Sequence, residues 1–265
     1  MRQQLNINRI VAKKSLGQNF IVDKNFLAKL DHYIDTSSSH ILIEIGPGKG
    51  ALTSYLEKKD FKKLFLIEKD NDLVRQLHEK YNDIKNINII HNDALLVDYK
   101  NFMSTKNKVI IYGNLPFNIS TKLLTTWLSS NQWPSFFDKM ILMFQQEVAD
   151  RILANHNCKK YGRLSVLVQS RCNVKKLIDA PARIFYPKPK VNGTVIQFEP
   201  INKYKDIDFD KLKILLEKSF QNRRKKIKNT LGEYRNILMK LNLDENLRPE
   251  NLSVSDYCKL SKLIN

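Results

Sequence analysis

Residues 41–50 read Ile41-Leu42-Ile43-Glu44-Ile45-Gly46-Pro47-Gly48-Lys49-Gly50. A short, almost wholly apolar run that stops at a glycine-rich turn is the pattern of a strand buried on both faces, feeding a helix. A helical pattern over residues 50–59 follows the turn. Working outward, Leu64-Phe65-Leu66-Ile67 predicts a second strand ending at Glu68, then a helix over 70–80 with Leu73, Val74 and Leu77 on one face. Ile87–Ile90, Val109–Tyr112 and Lys139–Phe144 predict three more strands, with a helix over 120–130 between the last two. Upstream, Asp23 is placed to cap a helix through Asn25–Ile34, and Ser37–Ser39 reads as a loop. Strands alternating with helices argue for an α/β fold, a doubly wound and mostly parallel sheet. Residues 145–170 add two helical stretches, and 174–179 with 191–198 a closing pair of strands. Glu199–Lys205 reads as a boundary. Beyond it the apolar spacing is helical (Leu212, Leu215, Leu216; Ile227, Leu231; Ile237, Leu238, Leu241). The expected organisation is a nucleotide-type domain over 1–200 and a small helical domain over 201–265.

The composition bounds the function. With 42% hydrophobic and 27% charged residues, the 265-residue chain reads as an ordinary globular protein. Its net charge of +18 favours a polyanionic partner, nucleic acid above all. Cys158, Cys172 and Cys258 have no C-x-x-C spacing, and the five histidines form no cluster. Neither a disulfide framework nor a metal is expected, and a reducing cytoplasm fits. No apolar run approaches the roughly 18 residues of a membrane span, and Met1–Lys14 lacks the apolar centre of a signal peptide.

The turn after the first strand lets backbone approach a ligand closely. Gly46, Gly48 and Ala51 satisfy the weak dinucleotide pattern G-x-G-x-x-A, and the same turn suits the methionine part of a methyltransferase's cofactor. Glu68, 22 residues after Gly46, is placed to accept from ribose hydroxyls. Asp93, after the third strand, is a candidate acceptor for an adenine amino group. These positions do not separate NAD from S-adenosylmethionine.

Tyr112-Gly113-Asn114-Leu115-Pro116-Phe117-Asn118-Ile119-Ser120 is more specific. It ends the fourth strand on the ligand side of such a sheet. An exocyclic amine on adenine is a poor nucleophile because its lone pair is delocalised into the ring. Two acceptors on its hydrogens draw the nitrogen toward tetrahedral geometry. The Asn114 side-chain oxygen is one acceptor and a neighbouring backbone carbonyl the other. Pro116 keeps the turn rigid, and Phe117 offers a face for stacking on the base. Against an activated methyl, positioning alone supplies most of the catalysis.

On these residues the chain resembles the KsgA-type rRNA adenine N6,N6-dimethyltransferases. Lys14-Ser15-Leu16-Gly17-Gln18-Asn19-Phe20-Ile21 is similar to that family's N-terminal signature, Glu44–Thr53 to its cofactor loop and Asn114–Thr121 to its catalytic turn. Tyr161–Val166 and Phe185–Thr194 are similar to later blocks, and Phe220–Leu231 to its C-terminal basic helix. The resemblance implies a class I methyltransferase fold of seven strands, the last antiparallel, with a helical C-terminal domain. It implies S-adenosyl-L-methionine as cofactor, held by Asn19, Ile21, Gly46, Glu68, Asp93 and Asn114, and catalysis by Asn114, Leu115, Pro116 and Phe117. It implies as substrate two adjacent adenines near the 3′ end of small-subunit (16S) rRNA, each methylated twice. The family usually carries Tyr where this chain has Phe117, and Gln221-Asn222 departs from its usual order.

Basic residues cluster in Arg2, Arg9, Lys13 and Lys14, and in Arg223, Arg224, Lys225, Lys226 and Lys228. Both groups are expected to hold RNA phosphates. The expected partner is small-subunit rRNA in a pre-ribosomal particle, met by a monomer. The competing readings are a macrolide-resistance methylase of large-subunit rRNA, which shares the turn, a non-catalytic RNA-binding assembly factor, and a dehydrogenase, for which no hydride-transfer site is evident.

Overall fold

Apolar runs become strands and side-chain caps start helices. The computed structural model describes residues 12–102, 108–129, 133 and 136–264. The strands are β1 Phe20–Ile21, β2 His40–Ile45, β3 Lys63–Glu68, β4 Ile87–His91, β5 Lys108–Gly113, β6 Lys139–Gln145, β7 Cys172–Ala180, β8 Phe185–Tyr186 and β9 Gly193–Pro200. The helices are α1 Lys24–Asp31, α2 Thr53–Leu56, α3 Asn71–Tyr81, α4 Ser120–Leu128, α5 Gln146–Leu153, α6 Arg163–Gln169, α7 Phe209–Gln221, α8 Ile227–Thr230, α9 Arg235–Lys240 and α10 Val254–Leu263. Asp23 caps α1 by accepting from the Phe26 amide at 2.9 Å. Asp70 caps α3 through the Asp72 amide at 2.9 Å. Each cap satisfies a donor that the helix itself leaves unpaired.

The main sheet has seven strands in the order β4-β3-β2-β5-β6-β9-β7. β2 pairs in parallel with β3 on one side and β5 on the other; β3 with β4 and β5 with β6 are also parallel. Gly193, at the start of β9, lies against Phe144 near the end of β6, as in an antiparallel neighbour: a Cβ there would sit 3.2 Å from the Phe144 carbonyl. The chain winds outward from β2 in both directions. The carboxyl ends of β2, β3 and β5 therefore open a crevice at the switch point. The strands that frame it are anchored by side chains with almost no exposure, among them Leu42, Ile43, Leu64, Leu66, Ile111 and Tyr112. A short second sheet pairs β1 antiparallel to β8, Phe20 opposite Tyr186.

Two compact units result. One comprises residues 1–120, 136–145 and 177–195; the other comprises 121–135, 146–176 and 196–265. The core of the first gathers Leu27 and Leu30 of α1, Leu56 of α2, Leu77 and Tyr81 of α3 and the inner faces of the strands. In the second, Leu212, Leu215 and Leu216 of α7 and Tyr257 and Leu260 of α10 are buried. Phe220 joins Tyr161 and Tyr257 at ring distances of 6.3 and 5.8 Å. Arg171 is buried in this unit, its guanidinium over the rings of Trp133 and Phe209 at 4.7 and 4.9 Å.

Two local expectations are corrected. Within 50–59 only Thr53–Leu56 is α-helical. The basic helix expected over Phe220–Leu231 is not one helix. α7 stops at Gln221, Asn222 leaves helical geometry (φ −122°, ψ 54°) and Arg223–Lys226 form a turn before α8. The amides of Ile227 and Lys228 donate instead to the Leu247 and Glu245 carbonyls at 2.7 and 3.1 Å, so a neighbouring loop takes the donors that a continuous helix would use. Like charges three or four positions apart, such as Arg223 with Lys226 and Arg224 with Lys228, would also repel along a helix face.

Candidate active site

The crevice at the switch point is a cleft of about 240 Å³. It gathers Asn19, Ile21, Gly46, Glu68, Asp93, Asn114, Leu115, Pro116 and Phe117, residues drawn from five separate stretches of the chain. Its back is the glycine turn. Gly46 and Gly48 stand at φ +65° and +58°, in the left-handed region that side chains disfavour. A Cβ on Gly48 would lie 3.0 Å from the Phe20 ring, so strand β1 closes down on the turn only because glycine is there.

Two acids form the floor. Glu68 is 7% exposed; its Oε1 accepts from the amides of Lys69 and Asp70, both at 2.9 Å, and its Oε2 from the Gly48 amide at 3.2 Å. Burial raises its pKa and the three amides oppose the rise. Both lone pairs of Oε1 are taken, which leaves Oε2 with one acceptor position. Glu44 is 3% exposed and among the described residues has one hydrogen-bond partner, the Thr53 hydroxyl, which donates to Oε2 at 2.7 Å. Burial, reinforced by the Glu68 charge and opposed by the Thr53 bond, pushes its pKa up to about 8. At neutral pH Glu44 therefore keeps its proton and adds no negative charge to the floor. Glu44 carried no signal of its own in the sequence beyond its place in the cofactor loop.

At the rim, Asp93 accepts from the Leu95 amide at 2.9 Å through Oδ1 and from Lys69 Nζ at 2.8 Å through Oδ2. Lys69 thus competes for the oxygen expected to meet an adenine amino group. Tyr186, 67% exposed, also lines the cleft and was not singled out in the sequence.

The Asn114 turn carries the most specific geometry. Asn114 Nδ2 donates to the Asn19 carbonyl at 2.9 Å. That bond assigns the two ends of the amide and leaves Oδ1 as the acceptor for a ligand. The Pro116 carbonyl accepts from the amides of Ile119 and Ser120, and the Phe117 carbonyl from the Ser120 hydroxyl at 3.2 Å. The Leu115 carbonyl accepts from no described residue. It is therefore a backbone acceptor that the turn keeps available next to Asn114. Gly113 sets the approach: a Cβ there would fall 2.8 Å from Leu115 Cδ2 and 3.3 Å from the Ile45 carbonyl.

The basic residues divide. Arg223 donates to the Lys159 carbonyl at 2.7 Å and to Glu250 at 2.6 Å, so its fork ties its own unit together. Lys226 and Lys228 both reach Asn246 Oδ1, at 3.2 Å. Arg224 and Lys225 are exposed and make no side-chain bond to a described residue. Lys13, also expected to meet phosphate, is paired with Asp70 and Asp72 at 2.7 and 2.8 Å, because two carboxylates at the start of α3 face it. Arg2, Arg9 and the Lys14 side chain lie outside the described residues.

Residues 10–265 match the family model for ribosomal RNA adenine dimethylase. The chain is 41% identical to the ribosomal RNA small subunit methyltransferase A of Pelagibacter ubique, over 96% of this chain and 97% of that one. It is 40% identical to the protein of the same name from Ehrlichia canis, over 98% and 99%. Among solved structures it is similar to a dimethyladenosine transferase from Plasmodium falciparum, with a TM-score of 0.76 and 25% identity over 91% and 95% of the two chains. The 23S rRNA methyltransferase ErmE shares the fold, with a TM-score of 0.67 and 18% identity over 92% and 98%. A match across nearly the whole chain, on a fold whose switch-point cleft gathers the glycine turn and Asn114–Phe117, places this protein: it belongs to the ribosomal RNA adenine dimethylase family.

Proposed function

We propose that this protein uses S-adenosylmethionine to dimethylate the N6 amines of two adjacent adenines near the 3′ end of small-subunit rRNA. The observation that carries the reading is the assigned amide of Asn114, a residue of the cleft whose nitrogen is held by the Asn19 carbonyl and whose oxygen is thereby left to accept. Asn114 Oδ1 accepts one hydrogen of the target amine and the Leu115 carbonyl accepts the other. Both acceptors stabilise the tetrahedral nitrogen, and so act more strongly in the transition state than in the ground state. Phe117 gives the adenine a stacking face, with no phenol needed for that purpose. Bound S-adenosylmethionine supplies a methyl group already activated by positive sulfur. The donor set fits it: Glu68, through Oε2, would hold a ribose hydroxyl, Asp93 would hold the adenine amine, and Gly46 with Asn19 and Ile21 would flank the methionine part.

Residues 1–200 carry this chemistry and 201–265 hold rRNA, with Arg224 and Lys225 the most available phosphate ligands, Lys226 and Lys228 next, and Arg223 bracing the segment. The substrate is an immature small subunit, met by a monomer in the cytoplasm. Small-subunit specificity follows the names of the relatives at 40% identity and above. Nucleoside mass spectrometry after incubation with labelled cofactor tests the reading. Dimethyladenosine in small-subunit rRNA, lost in Asn114→Ala, is the expected result. Methylation confined to large-subunit rRNA, or no transfer at all, would overturn it.

A further inference from the structure

One polar cluster at the edge of the first unit takes no part in the chemistry above. Asp70 has both carboxylate oxygens occupied from the N-terminal segment. Lys13 Nζ donates to Oδ1 at 2.7 Å and Gln18 Nε2 to Oδ2 at 2.8 Å. Lys13 also reaches Asp72 Oδ2 at 2.8 Å, and its own amide donates to Gln18 Oε1 at 2.8 Å, which closes the cluster on itself. The Asp70 side chain is fully buried. Burial alone would raise its pKa, but the bonds from Lys13 and Gln18 outweigh that and hold it below the usual carboxylate range. The residues tied here are 57 and 52 positions apart in the chain.

What they tie down is the strap over the cleft. Ser15 to Val22 line it, while Lys13 and Asp70 do not. The next residue after Gln18 is Asn19, whose carbonyl holds Asn114 Nδ2, and whose own side chain donates to the Gly17 carbonyl at 3.1 Å. Gly17, at φ +64°, packs beside Asn118: a Cβ there would lie 3.1 Å from Asn118 Oδ1. The strap therefore has three attachments: the Asp70 cluster before Asn19, the pairing of Phe20 and Ile21 with β8 after it, and Asn114 itself.

We infer that Lys13, Gln18 and Asp70 form a clasp of positioning residues that fixes the Asn19 carbonyl, and through it the orientation of the Asn114 amide. The inference rests on the reading of Asn114 as the amine acceptor. An unclasped strap would let the Asn19 carbonyl wander, and the amide would lose the one bond that distinguishes its oxygen from its nitrogen. Displacements on the order of 1 Å in a positioned group can cost about a hundredfold in rate.

The test uses Lys13→Met, with Lys13→Arg as the conservative rescue, because residue 13 lies outside the cleft. The first readout needs neither cofactor nor rRNA: hydrogen exchange of the Asn114 side-chain amide in protein labelled with ¹⁵N-asparagine, beside exchange of the backbone amides of 16–21. Lys13→Met should lose protection at both places and Lys13→Arg should restore it. The second readout is kinetic. Lys13→Met should lower kcat about tenfold or more with KM for rRNA changed less than about threefold, as for an interaction lost mainly in the transition state. Unchanged exchange at Asn114 in Lys13→Met would overturn the clasp. So would a lowered melting temperature accompanied by wild-type kcat. If the wild type itself transfers no methyl, the functional reading fails while the exchange arm still judges the clasp.

Discussion

Glu44→Gln isolates one buried acid. Glu44 is 3% exposed and accepts a hydrogen bond from Thr53 at 2.7 Å. Its carboxyl titrates at about 8 in the folded chain, against an ordinary value of 4.5. A carboxyl whose pKa is raised by folding keeps its proton in the native state where the unfolded chain has released it. Its contribution is neutral below pH 4.5 and becomes increasingly unfavourable as pH rises toward 8. Over the whole window the cost reaches on the order of 5 kcal/mol. Glutamine keeps the shape and an acceptor for Thr53 but has nothing to titrate. Glu44→Gln should therefore match the wild type near pH 4.5 and exceed it by a margin that widens through pH 6 and 7 to a plateau above 8. The assay is urea unfolding of the cofactor-free protein, followed by a probe in the first unit, at pH 5, 6, 7 and 8. Parallel pH dependences for the two proteins would refute the argument, since both would then be governed by other groups.

Other outcomes follow from the same geometry. Gly113→Ala drives a methyl to 2.8 Å from Leu115 Cδ2; it should lower stability by about 1–3 kcal/mol, read by denaturant unfolding, and reduce kcat more than rRNA affinity. Lys69→Met removes the ion pair that Asp93 Oδ2 makes with Lys69 and should tighten cofactor binding modestly, measured by calorimetry. Arg224→Ala should weaken rRNA binding and flatten its salt dependence by about one counterion. Arg223→Ala should instead lower the unfolding midpoint, because it loses the bonds to Lys159 and Glu250.

The parts of this site that were legible in the sequence are those written locally. The run from Ile41 into the glycine turn, the 22-residue step to Glu68, and Asn-Leu-Pro-Phe at a strand end each show their chemistry within a few residues. The sheet followed from strand–helix alternation, which needs no knowledge of distant partners. What escaped depends on contacts made across the chain. Lys13 looked like a free cation because Asp70 lies 57 residues away. Asn19 acts through a backbone carbonyl, a group every residue has. The interruption of the basic helix at Asn222 is made by the loop carrying Glu245 and Leu247, which takes the amides of the residues beyond it. Glu44 is unusual only for what surrounds it, and a burial environment is not spelled in the residue itself.

The bond from Asn114 Nδ2 to the Asn19 carbonyl bears on how this position can drift. Aspartate is a single-base change from asparagine and on the ligand side is a better hydrogen-bond acceptor. On the strap side it fails, since an anionic oxygen would face a carbonyl oxygen where a donor now stands at 2.9 Å. Serine, another single-base neighbour, is too short to reach both ways. The codon is thus hemmed in from two directions at once, and a lineage that lost this amide would have to rebuild the strap before it could regain the reaction.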